Sequence, residues 1–149
     1  MRQMMRKLTV GSFVTYMLGK ETKMDINELM QSEDLTKNYE IQDINANKPM
    51  GILAYIGLLV LVPIFTARES KFAMFHAEQG ITLCIAAHVI GLLAWIFSLI
   101  PVVGFVFSIL SGLVGLVVFG LMILGIVNSV NGQAKQLPLV GKFTIFKLQ

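Results

Sequence analysis

From Met50 onward the chain consists of long apolar runs with short polar breaks between them. Met50 to Ala67 gives 18 residues without a charge, Ile81 to Ile100 gives 20, and Val102 to Val127 gives 26. A helix rises about 1.5 Å per residue and the hydrocarbon core of a bilayer is roughly 30 Å thick, so about 20 apolar residues cross it. The pattern predicts an all-α integral membrane protein with three transmembrane helices, at about 50–67, 81–100 and 102–127. Proline cannot continue a helix and glycine tolerates left-handed backbone, so PVVG predicts a tight helix–helix turn at 101–104.

The break between the first two runs reads KFAMFHAEQG, residues 71–80. Thr66 followed three residues later by Glu69 fits a capping box, which would start a helix right after the first span. At 3.6 residues per turn, Phe72, Phe75, His76, Gln79 and Leu83 share one face, and Lys71, Met74 and Glu78 lie opposite. An amphipathic interfacial helix is therefore expected at about 67–80, with Gly80 allowing a bend into the next span. Phe72, Phe75, His76 and Gln79 make a candidate contact motif facing a partner, a pore or a headgroup. The plainer reading is a helix resting at the water boundary.

Residues 1–49 differ in kind, holding seven of the Lys/Arg residues and seven of the Asp/Glu residues. They predict a polar tail, largely disordered or with a short helix over INELMQ capped by Asp25 and Glu28, ahead of a helical membrane domain at 50–149. The opening MRQMMRKLTVGSFVTYML has the basic start and apolar middle of a signal peptide. Polar residues interrupt that middle and no small-x-small site follows, so an uncleaved tail is expected; a start at Met24 would remove it. With three crossings, Lys37 and Lys48 share a side with the 101–104 turn. Arg68, Lys71, Lys135, Lys142 and Lys147 lie on the other side, which puts the C-terminus in the cytoplasm and the N-terminal tail outside.

Composition supports the membrane class. Charged residues are 14% of the chain, against roughly 25% in soluble domains. A net charge of +3 without basic–aromatic interleaving argues against nucleic acid. Cys84 is the single cysteine, so no internal disulfide is expected. No Ser/His/Asp set, phosphate-binding glycine pattern or HExxH appears, so an enzyme, a cofactor and a catalytic residue are not expected. Within the second span, His88 is the only side chain that titrates near neutral pH. Zinc needs about three protein ligands, so His88 is read as a neutral residue bonded across a helix contact, not as a metal ligand.

Small residues form stripes. Ala87, Gly91, Ala94 and Ser98 run along the second span, and Gly104, Ser108 and Gly112 along the third. In lipid, close backbone approach is a main source of helix pairing, so the stripes predict an antiparallel hairpin, with self-association as the alternative. The acid-free tail QAKQLPLVGKFTIFKLQ suits an anionic leaflet.

The order of span, KFAxFHAxQG, span, PVVG, span and NGxAKxLPLxGK resembles a bacterial family of small membrane proteins without an assigned function. That family is distantly similar to a channel-type subunit of the chloroplast inner-envelope protein import machinery, and includes magnetosome membrane proteins. The residues that carry the resemblance are Lys71, Phe72, Phe75, His76, Gln79, Pro101, Gly104, Asn131, Gly132, Ala134, Lys135, Leu137, Pro138, Gly141 and Lys142, within about residues 50–145. The resemblance implies a multi-pass, non-enzymatic protein of a bacterial cytoplasmic membrane. The expected role is a structural or assembly subunit, with lipid and another copy or a membrane protein as partners. The alternative is a translocation channel built as an oligomer, with Tyr55, Thr82, His88, Ser98, Ser108 and Ser111 as the few polar residues for a path.

Overall fold

The computed structural model describes residues 32–142 and 148. The helix expected over INELMQ and the signal-like opening lie outside the described residues. Four helices follow in order: α1 Ile41–Leu53, α2 Leu61–Thr66, α3 Lys71–Ser98 and α4 Val103–Val130. Short 3-10 turns occupy Thr36–Asn38 and Gly57–Val60. No strand is present among the described residues, only an isolated bridge between Asp34 and Lys135.

Helices α3 and α4 have 28 residues each, about 42 Å of rise, and form an antiparallel hairpin. Only 17% and 11% of their most apolar stretches are buried. A soluble core helix would hide most of that surface, whereas these two are long and apolar enough to cross a membrane and leave it exposed. The turn between them is as tight as expected. Its left-handed residue, however, is Val102 (φ 69°) and not the glycine. Gly104 serves another purpose: a Cβ there would sit 2.8 Å from the Ser98 backbone. Phe97 and Phe107 stack across the hairpin just inside the turn, with centroids 4.2 Å apart.

The first apolar run is not one helix. Helix α1 ends at Leu53, the chain tightens through 3-10 turns, Gly57 adopts φ 53°, and α2 is only six residues long. A left-handed glycine stops a helix by supplying backbone that other residues avoid. The ten residues Gly57–Thr66 rise about 17 Å, too little for a 30 Å core. Two long apolar helices and one short apolar element stand where three spans were expected.

This break changes which segments lie together. Leu35 N–H donates to Ala134 O at 2.9 Å, Gln136 N–H donates to Glu33 O at 3.0 Å, and Asp34 pairs with Lys135 at 3.9 Å. Residues 33–35 and 134–136 thus meet at one end of the hairpin, where three crossings would have put them on opposite sides of a membrane. Within residues 32–49, expected as a polar tail largely disordered or with a short helix, a helix begins at Ile41, Tyr39 covers Phe72 and Phe75, and Ile44 is buried.

The expected interfacial helix is also absent. The FHAEQG segment forms the first turns of α3, which runs through Gly80 without interruption. Its cap is Ser70, whose Oγ accepts from Ala73 N–H at 3.0 Å; the Thr66 hydroxyl donates instead to Val62 O within α2. Asp43 reaches across from α1 and accepts Phe72 N–H at 3.0 Å, satisfying a second open donor of the helix start. Phe72, Phe75, His76 and Gln79 are 0–6% exposed, buried in a compact base and not floating at an interface. Burial of each phenylalanine contributes roughly 1.5–3 kcal/mol.

Candidate functional site

The base is organised by four positions of α3 spaced three or four apart, so they project to one side. Phe72 and Phe75 hold the Tyr39 ring at centroid distances of 6.4 and 5.6 Å. His76 Nδ1 lies 3.0 Å from the Tyr55 hydroxyl in the break after α1. Gln79 clamps the segment after α4: its Oε1 accepts Leu137 N–H at 2.5 Å and its Nε2 donates to Lys135 O at 3.5 Å. One helical face thereby fixes three separate pieces of chain. The side chains of the candidate motif are buried against these segments.

His76 is enclosed by edges and faces of three rings, with Phe72, Phe75 and Tyr55 centroids at 4.6, 5.3 and 5.6 Å. The ring is buried, and no carboxylate is among these contacts. Nε2 makes no hydrogen bond of ordinary geometry among the described residues, though the Gln133 backbone carbonyl bears on the ring. A phenol that donates to Nδ1 leaves the proton on Nε2, facing a group that can only accept.

Glycines let the segments come this close. At Gly80 a Cβ would fall on the Ala54 carbonyl oxygen and lie 2.7 Å from its carbon. At Gly125 it would run into the Tyr55 ring, and at Gly51 into Ser129 Oγ. Ser129 in turn donates to Lys48 O at 3.0 Å, joining α4 to α1. Asp34 anchors the outer edge: its carboxyl is held below the usual range by the hydroxyl and N–H of Thr36 first, with Lys135 adding a smaller attraction.

The small-residue stripes sit elsewhere. Ala87, Gly91 and Ala94 of α3 and Ser108 and Gly112 of α4 line a common groove of about 340 Å³. A Cβ at Gly91 or Gly112 would meet nothing within 4 Å, so the helices face each other there without touching. Ser98 and Gly104 do meet, at the turn. His88 bonds along its own helix and not across a contact: Nδ1 lies 2.8 Å from Cys84 O. Ser98, Ser108, Ser111 and Thr82 likewise donate to carbonyls of their own helix. Such back-bonding satisfies a hydroxyl in lipid and removes it from other use. Among the described residues no three His, Cys, Asp or Glu side chains gather as a metal set.

Sequence reading named Tyr55 only as a polar residue for a path, not as the partner of His76, and missed Asp43 and Ser129. The available signal was Gly57 with Pro63 six residues later inside an apolar run, a helix-stop pattern. Nothing local marks Asp43 or Ser129, whose partners are 29 and 81 residues away.

A lipid-facing hairpin standing on a self-locked base defines a small helical membrane protein. The chain belongs to the magnetosome magnetite crystal formation protein family (MamF/MmsF), which it matches over residues 46–144. It is similar to magnetosome protein MmsF of Paramagnetospirillum magneticum, 36% identical over 92 residues, covering 61% of this chain and 78% of that one. Magnetosome protein MamF of the same organism is 32% identical over 102 residues, 63% of this chain and 78% of the relative. A UPF0132 membrane protein of Methanocaldococcus jannaschii is 30% identical over 93 residues, 61% and 62% of the two chains. No solved structure matches. The membrane family and the magnetosome kinship expected from the two motifs are thus found. The expected likeness to the chloroplast import subunit has no counterpart in these relatives.

Proposed function

We propose that this chain is a non-enzymatic membrane subunit with a structural or assembly role. It inserts as a two-crossing hairpin with its base on the cytoplasmic face. One observation carries the reading. The groups with chemical potential, Tyr55, His76, Gln79 and Ser129, are committed to joining chain segments, while the displayed surface is apolar helix. What such a molecule offers is helix surface to lipid and to neighbouring proteins. Charge supports the cytoplasmic side: no lysine or arginine falls between Lys71 and Lys135, and among the described residues Lys37, Lys48, Arg68, Lys71 and Lys135 flank the hairpin at its base. The names of two relatives give a magnetosome setting, and there this chain would act through membrane partners. Its hairpin tip, Leu99–Val102, presents no carboxylate for a hard metal ion.

Two measurements test this. With Cys84 replaced by alanine, single cysteines at Asn38, Gln136 and Val102 are labelled in right-side-out and inverted vesicles. Asn38 and Gln136 should react from the cytoplasmic side together, and labelling from opposite sides refutes the hairpin. Isolation from native membranes in mild detergent should bring a stoichiometric membrane protein or further copies. Recovery only as a lone monomer refutes the assembly role.

A further inference from the structure

Where the apolar surface of α2 ends, an open cleft of about 480 Å³ begins, lined by Asp43, Asn47, Phe65, Arg68, Glu69 and Ser70 among others. We propose that this cleft binds an ethanolamine phospholipid headgroup, with Arg68 on the phosphate and the Glu69 and Asp43 carboxylates on the ammonium. The volume lies within the range of small-molecule sites, roughly 300–1,000 Å³.

The position favours a lipid. Leu58, Leu61 and Phe65 are 71, 43 and 63% exposed, and Arg68 is the first charge after them. Its Nε donates to Ile64 O at 3.1 Å, and its guanidinium carbon lies 5.4 Å from the Phe65 ring centroid. These contacts hold the guanidinium at the border of apolar surface and leave its two terminal nitrogens for a phosphate. The exposed side chains of α2 give the acyl chains of the same molecule a place to lie.

The charges select the headgroup. Asp43 Oδ1 accepts from Asn47 Nδ2 at 2.8 Å and Oδ2 accepts from Phe72 N–H, so this carboxylate is fixed in place. Each oxygen keeps a lone pair for a further donor. Ser70 and Asp43 already satisfy the start of α3, so the helix terminus is not what would attract an anion. Two carboxylates beside one guanidinium repel a purely anionic headgroup. They suit one that carries a phosphate and a three-donor ammonium together. A choline headgroup lacks those N–H donors. This inference goes beyond the assembly role and does not depend on any protein partner.

The full chain, purified in mild detergent, is titrated with ethanolamine, glycerol and choline phospholipids of identical acyl chains and read by native mass spectrometry. The ethanolamine lipid should bind about tenfold more tightly than the others, the gain expected of one charge-assisted contact. Arg68→Gln should weaken all three lipids, and Glu69→Gln should erase the preference without weakening the glycerol lipid. Both side chains are exposed, and unchanged melting temperatures would show that neither variant is misfolded. Soluble phosphoethanolamine is added as competitor. Displacement of lipid assigns the site to the headgroup alone, and resistance assigns it to the whole lipid; both support the cleft. Equal binding of the three lipids by the natural chain, or variants that bind as it does, overturns the proposal.

Discussion

Gly80→Ala and Gly91→Ala place the same methyl group on the same helix, eleven residues apart. In an exposed helix interior the change stabilises by about 1 kcal/mol, because alanine loses less backbone entropy. At Gly91 the new Cβ meets nothing within 4 Å, so that gain should appear undiminished. At Gly80 it would fall on the Ala54 carbonyl, a backbone group that cannot rotate aside. Over-packing of this kind costs about 1–3 kcal/mol. Pushing Ala54 away also strains the adjoining Tyr55–His76 hydrogen bond, worth about 1 kcal/mol. Net of the helix gain, Gly80→Ala should destabilise by about 1–3 kcal/mol. For a chain of this size each kcal/mol moves the melting temperature by roughly 2–4 °C. Thermal unfolding in detergent, followed by size-exclusion chromatography, should place Gly80→Ala roughly 2–12 °C below the natural protein and Gly91→Ala at or above it. The reverse order would refute the reasoning. It would mean that the stripe through Gly91 is the tight seam and the approach at Ala54 is not.

Gln79→Leu keeps the volume but strips Leu137 N–H and Lys135 O of their partner, which should cost about 2–4 kcal/mol and raise amide exchange at Leu137. Val102→Gly relieves a β-branched residue at φ 69° that is 82% exposed. The strain is worth about 1–2 kcal/mol and glycine's entropy offsets about half, so a rise of a few degrees in melting temperature is expected. Asp34 is more acidic folded than unfolded. Its contribution is therefore complete above the ordinary carboxylate range and fades as pH falls through it. Proteolysis near residues 34–36 should accelerate on acidification, and Asp34→Asn should remove that pH dependence.

Much of this protein was settled by the sequence alone. The runs at 81–100 and 102–127 carry no formal charge and match or exceed the thickness of a bilayer core, so long apolar helices followed from backbone hydrogen bonding and transfer energy. The PVVG turn forced the two helices to be neighbours. The grouping of Phe72, Phe75, His76 and Gln79 on one face was also legible, because helical period is a local property.

What that face touches was not legible. Its partners, Tyr39, Tyr55, Lys135 and Leu137, are brought in from distant parts of the chain. The same holds for the glycines. Small residues at regular spacing suggested the seam at Gly91, yet the close approaches lie at Gly51, Gly80 and Gly125, where a carbonyl, a ring or a hydroxyl from another element fills the space. The run at 50–67 shows the limit most plainly: its hydrophobicity met the requirement for a span, but the contacts of Tyr55 with His76 and Gly125 hold the chain at its break. Hydropathy is a sum over residues and can be read in order. Which backbone atoms meet depends on the packing of all the segments at once, and only the folded chain decides it.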